Sequence, residues 1–127
     1  MRNNVHATFI TDIQGPKLTE LEKQMLTSPF LGVVILFTRH FEDTAQLKAL
    51  TTEIVEINKD LLITVDHEGG RVQRFRQGFT NIPAMGKLGA LYTADIDQAK
   101  SAAFDCATVL ACELLDAGIH LTYAPVL

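Results

Sequence analysis

The chain has 127 residues, 47% hydrophobic and 20% charged, with a formal charge of −4. That is the profile of one soluble globular domain large enough to bury a core, and it excludes a disordered tail or a fibre. Eleven Lys and Arg against fifteen Asp and Glu, without a run of like charge, argue against a nucleic-acid partner or a polybasic membrane anchor.

No stretch approaches the ~20 apolar residues of a membrane span, and the residues from Met1 to His6 lack the apolar region of a signal peptide. The expected location is therefore the cytoplasm. Cys106 and Cys112 stand six apart in a helical pattern, where ~100° per residue puts them on different faces. They read as buried, reduced thiols and not as a disulfide or a redox pair.

Strand-like and helix-like runs alternate along the chain, which is the main fold signal. The first strand is expected over Ala7–Ile13, closed by Gly15 and Pro16. A helix then opens on a capping box from Thr19 to Glu22 and stops before Pro29. Gly32–Phe37 is continuously apolar, as suits a parallel strand covered on both faces. The second helix is capped by Asp43 with Gln46 at the third position, and Leu47, Leu50, Ile54 and Ile57 form its apolar stripe.

The third strand, Leu61–Val65, runs straight into Asp66-His67-Glu68-Gly69-Gly70. From Gly69 to about Ala94 the periodicity lapses, and the segment reads as a long functional loop holding at most a short helical turn. A third helix is expected over Asp97–Ala117, packing through Leu110 and Leu114 and ended by Gly118; Ile119–Ala124 is the fourth strand. About four strands and three helices in strict β-α order fit an open doubly wound sheet or the first half of a (β/α)8 barrel. The chain's length, close to half of a barrel's ~250 residues, favours the barrel.

The segment Thr64–Phe75 holds the candidate chemistry. It sets three ionisable groups at the carboxyl end of a strand, where both architectures bind ligands. Gly69 and Gly70 permit a sharp turn through positive φ, after which Arg71 and Arg74 return toward the same mouth as rigid donor forks. Each has a plainer reading. Asp66 is equally a cap for the next turn, and Arg71 or Arg74 equally a partner for Asp66 or Glu68.

Neighbouring side chains of an extended segment diverge, so Asp66, His67 and Glu68 do not suit a metal. No phosphate loop, GxSxG elbow or HExxH helix appears, and no cofactor is called for. His6, His40 and His120 read as structural, while Arg39 and His40 follow the second strand and are expected to face the mouth with a weaker claim.

Asp66-His67-Glu68-Gly69-Gly70-Arg71-Val72-Gln73-Arg74-Phe75 resembles the bacterial β-N-acetylhexosaminidases of glycoside hydrolase family 3. Gly32–Arg39, Gln73–Pro83 and Thr122–Leu127 resemble the same family in the same order, so the likeness covers nearly the whole chain. It implies a (β/α)8 barrel that removes terminal β-linked N-acetylglucosamine, with muropeptides of cytoplasmic cell-wall recycling as substrates.

On that resemblance Asp66 accepts hydrogen bonds from the sugar hydroxyls and Arg74 fixes the same sugar. An acceptor-only carboxylate and a donor-only guanidinium together read hydroxyls directionally. The family more often has Gln where His67 stands. The larger departure is the absence of the family's Lys-His-Phe-Pro-Gly-His-Gly loop and of its Asp nucleophile, the groups through which such retaining enzymes work.

The expectation is therefore that residues 1–127 form a single N-terminal half-barrel with part of a sugar subsite, no catalytic residue of its own and no activity alone. The rival readings are a sugar-binding module without catalysis and a non-functional truncated product. The outer strands of such a half would expose unpaired edges, favouring an unstable monomer, self-association or refolding into an open sandwich.

Overall fold

The computed structural model describes residues 9–125. Its first elements are β1 (Phe9–Thr11), α1 (Glu20–Leu26) and β2 (Leu31–Leu36), then a 3-10 turn (Thr38–His40) and α2 (Thr44–Ile57). They are followed by β3 (Leu62–Val65), β4 (His67–Gly69), β5 (Val72–Gln73), α3 (Met85–Ala94), α4 (Ile96–Asp116) and β6 (Leu121–Thr122). The expected capping box is formed: the Thr19 hydroxyl accepts from the Glu22 amide at 3.3 Å, and a Glu22 carboxylate oxygen accepts from the Thr19 amide at 2.8 Å. Asp43 caps α2 by accepting from the Gln46 amide at 2.7 Å.

Strands β1, β2, β3 and β6 form one sheet in that order, every neighbouring pair parallel. A doubly wound sheet reverses its strand order at a switch point. This one does not, so the four strands are a continuous arc of a barrel. Two expectations need correction. The segment after Gly69 is not one long loop, since β4 and β5 form an antiparallel hairpin and α3 occupies ten residues. The described residues therefore hold four helices, not three.

A continuous core lies between the sheet and its helices. Val34, Leu36, Ile63 and Val65 point to the helix side and meet Leu26, Leu47, Leu50, Ile54, Leu114 and Ile119, all buried. Leu110 packs beside them half-buried, in line with the expected stripe. The cysteines depart from expectation: both are free, but Cys106 is half-buried and Cys112 exposed. Much of the surface of α4 is uncovered among the described residues, so the usual burial of reduced cysteines did not hold on this helix. Ala7 and Thr8, the start of the expected first strand, and His6 lie outside the described residues.

Two contacts fix the connection from α4 to β6. His120 accepts from the Ile63 amide through Nδ1 at 2.9 Å while its own amide donates to the Ile63 carbonyl, joining β3 to the start of β6. Thr51 of α2 donates to the Ala117 carbonyl at the end of α4. Gly118 then turns the chain with φ +77°, and a Cβ there would stand 2.5 Å from the Thr51 hydroxyl. Gly118→Ala is expected to lower unfolding free energy by about 2 kcal/mol or more, from left-handed strain plus displacement of Thr51. Urea denaturation of the variant against the parent chain measures it.

Candidate sugar-binding site

Parallel strands joined by helices bring all their carboxyl ends to one side of the molecule. Asp12, Phe37 and Asp66 follow β1, β2 and β3 directly, so the mouth is lined by residues distant in sequence. Each strand end supplies one component of a connected array.

Arg74, just beyond β5, donates from a terminal guanidinium nitrogen to Asp66 Oδ2 at 3.0 Å. Both side chains are about 30% accessible, so the pair is neither solvated nor sealed. The guanidinium carbon also lies 5.5 Å from the centre of the Phe37 ring, within cation–π range. On that same ring, 4.9 Å from its centre, rests Arg39, which forms an ion pair with Asp12. One aromatic ring thus spaces two arginines, each neutralised by the aspartate that ends a neighbouring strand.

The plainer expectation for Arg74, an ion pair with Asp66, is what the structure shows, and it leaves the pair available to a ligand. The contact engages one carboxylate oxygen; Oδ1 has no donor among the described residues. The Arg74 Nε–H is buried with no acceptor among the described residues. Orphaned buried donors are uncommon in native proteins and are tolerated more readily at functional positions than in plain scaffolding.

The hairpin that delivers Arg74 is built for close approach. Gly69 and Gly70 have φ of +91° and +58°, and a Cβ on either would sit within 2.8 Å of the Ile82–Ala84 backbone or side chains. Only glycine meets both conditions. The Gly70 amide donates to the Ile82 carbonyl at 2.7 Å. Beneath the turn, buried Gln73 donates to the carbonyls of Phe75 and Thr80 and accepts from the Ile82 amide. One side-chain amide therefore satisfies three backbone groups of an otherwise irregular segment, which fixes the rise to Arg74.

Sequence reasoning missed Phe37 and Gln73. An aromatic directly after an apolar strand was the available signal for the first, and nothing in the spacing marked the second. Arg71 is exposed at the hairpin turn, not drawn into the pair. Glu68 lines a separate, largely apolar cavity of about 360 Å³ between α3, α4 and the end of β6. Arg39 faces the mouth as expected, but His40 does not. It is fully buried, its Nδ1 accepting from the Phe37 amide at 2.8 Å, which leaves the proton on Nε2 to donate to the Ile13 carbonyl at 2.7 Å.

The sequence matches the glycosyl hydrolase family 3 N terminal domain over residues 4–127. The chain belongs to this family. It is 51% identical over 120 residues to a beta-hexosaminidase of Neisseria meningitidis serogroup C (strain 053442), an alignment that covers 93% of this chain and 33% of the relative. A beta-hexosaminidase of Chromobacterium violaceum is likewise 51% identical over 119 residues, again 93% of this chain and 33% of that protein.

Among solved structures, NagZ from Neisseria gonorrhoeae in complex with N-trifluoroacetyl-D-glucosamine superposes with a TM-score of 0.91 at 47% identity, covering 94% of this chain and 35% of that one. A family 3 beta-N-acetylglucosaminidase from Paenibacillus sp. str. FPU-7 superposes with a TM-score of 0.83 at 28% identity, covering 95% and 23%. The chain spans about a third of the length of the curated relatives it matches. The arc of four parallel strands is the N-terminal part of the family 3 barrel.

His67 follows Asp66 directly and opens β4. It is 1% exposed, with its ring 5.7 Å from that of Phe75 and 5.6 Å from that of Phe79, and its Nδ1 has no partner among the described residues. Its backbone is held by Thr122, whose hydroxyl accepts from the His67 amide and donates to its carbonyl, both at 3.1 Å. Burial lowers the imidazole pKa from 6.5 to about 4, so the ring is neutral at pH 7. His40 is shifted down for the same reason.

A depressed imidazole stabilises the fold above pH 6.5, where neither state is protonated. As pH falls the unfolded chain takes up the proton first, and the advantage is lost between about pH 6.5 and 4. His67 alone accounts for about 3 kcal/mol of that loss. His67→Gln is expected to flatten the acid limb of a stability-versus-pH curve, leaving the smaller contribution of His40; chemical denaturation at half-unit intervals tests it.

Proposed function

We propose that this chain contributes part of the non-reducing-end sugar subsite of a family 3 retaining β-N-acetylhexosaminidase, which removes terminal β-linked N-acetylglucosamine from muropeptides in cytoplasmic cell-wall recycling. The observation that carries the reading is the Asp66–Arg74 pair at the carboxyl ends of parallel strands, half open, in a chain about 50% identical to beta-hexosaminidases. Asp66 Oδ1 accepts from sugar hydroxyls, and the remaining N–H groups of the Arg74 fork donate to their oxygens. Because Arg74 is already oriented by Asp66, Phe37 and the Gln73-braced hairpin, a sugar would meet a site with little left to order.

The chain alone is expected to be inactive. Retaining hydrolysis needs a nucleophile and an acid/base flanking the scissile bond, and the 127 residues lack both the family's histidine-bearing loop and its nucleophile segment. The chain's expected role is to hold the sugar, with the reacting groups supplied from elsewhere.

Two measurements test this. Incubated with an aryl N-acetyl-β-D-glucosaminide, the purified chain should show no turnover above the blank; turnover abolished by Asp66→Ala would overturn the assignment of chemistry to other residues. In a titration with N-acetylglucosamine, binding should saturate and weaken about tenfold or more in Asp66→Ala and in Arg74→Leu, as expected for loss of a charge-assisted hydrogen bond. Binding indifferent to both substitutions would overturn the subsite.

A further inference from the structure

The turn that follows β2 is tied down more firmly than a connection to the next helix requires. Phe37 is half-buried with extended backbone, and the 3-10 turn after it closes back on it twice. The His40 amide donates to the Phe37 carbonyl at 3.0 Å, and the Phe37 amide donates to His40 Nδ1 at 2.8 Å. The two rings lie 6.0 Å apart, tilted by 59°. Through its other ring nitrogen His40 reaches the Ile13 carbonyl beyond β1, which also accepts from Arg39 at 3.3 Å. A phenylalanine has two side-chain torsions, so a backbone held in this way leaves its ring few positions to occupy.

Arg74 needs such a support. Its one side-chain hydrogen bond, to Asp66 Oδ2 at 3.0 Å, fixes a point and not a plane, because a guanidinium can turn about a single contact. Its Nε–H, with no acceptor among the described residues, adds no second anchor. The Phe37 ring, 5.5 Å from the guanidinium carbon, supplies the missing constraint. It attracts the cation through its π-face and takes up none of the donors of the fork. Arg39 shares the ring at 4.9 Å, with its charge met by Asp12, so the second cation does not stand uncompensated beside the first.

We propose that Phe37 is a positioning residue of the sugar site: its π-face, held by the turn Thr38–His40, sets the direction in which Arg74 presents its free N–H groups. This rests on the sugar-subsite reading and deepens it, by giving the orientation of Arg74 a source outside its contact with Asp66. The plainer role for the ring is apolar filling at the mouth, which any side chain of suitable bulk could perform.

The two roles separate in a titration of the chain with N-acetylglucosamine. Phe37→Leu keeps an apolar side chain and removes the π-face, and it should weaken binding about fivefold while far-UV circular dichroism is retained. Phe37→Met, closer in volume and able to fill an irregular gap, repeats the measurement against loss of packing and should weaken binding to a similar degree. Phe37→Tyr restores the π-face and should recover most of the lost affinity. In an Arg74→Leu background, Phe37→Leu should add nothing further, because the ring then has no guanidinium to place.

Affinity that falls in Asp66→Ala and Arg74→Leu but is unmoved in Phe37→Leu and Phe37→Met would overturn the positioning role and leave the sugar subsite standing. An equal loss from Phe37→Leu with and without Arg74 would also overturn it, since the ring would then touch the sugar itself. Binding that is absent, or indifferent to Asp66→Ala and Arg74→Leu, would remove the subsite and this inference with it.

Discussion

A parallel strand cannot be joined to its neighbour by a tight turn, so the chain must return through a helix between one strand and the next. That constraint decides most of this molecule. It puts the helices on one face of the sheet, concentrates the core on that side, and delivers the carboxyl end of every strand to a single mouth. Asp12, Phe37 and Asp66 meet there because each is a residue that follows a strand. The site therefore needs no long-range device beyond the alternation itself, and the hairpin from His67 to Gln73 adds one further side chain, Arg74, to an array the topology has already assembled.

The two faces of the sheet were legible to different degrees. Continuous apolar runs at Gly32–Phe37 and Leu61–Val65 announced strands covered twice, and the structure buries their helix side as those runs imply. The capping residues Thr19 and Asp43 and the terminating Gly118 were readable because each performs a local job that few residue types can do. The placement of Asp66 and Arg74 at the mouth was readable for another reason: the first stands at a strand end, and the second follows a glycine pair that can reverse the chain. What the sequence concealed is long-range. The Gln73 amide braces a segment that looks structureless in one dimension, and Phe37 becomes part of a site when two arginines from different elements settle on its ring. The exposure of Cys112 was hidden likewise, because helical periodicity shows which residues share a face but not whether anything covers it.

His67 shows how a site tolerates a local cost. A buried imidazole with an unpartnered nitrogen gives up stability as pH falls, yet its backbone is engaged twice by Thr122 and its ring fills space beside Phe75 and Phe79. The position demands volume and two backbone contacts more than it demands a particular polar group. An amide of similar length could meet the same demand and would not titrate, so the acid sensitivity belongs to the imidazole and not to the architecture.

The Asp66–Arg74 pair holds a balance that bears on its use. A fully exposed pair is worth little, since solvent competes for both partners and long side chains lose freedom to meet. A fully buried pair is costly to desolvate and inaccessible to a ligand. At about 30% accessibility, with a single 3.0 Å contact in place of a bidentate one, each partner is held in position while part of its hydrogen-bonding capacity stays unspent. Phe37 maintains that state: its ring supports the Arg74 guanidinium at 5.5 Å from a direction in which it competes for no hydrogen bond. The aromatic thus fixes where the charge sits, and the incomplete ion pair leaves hydrogen-bonding capacity open at the mouth.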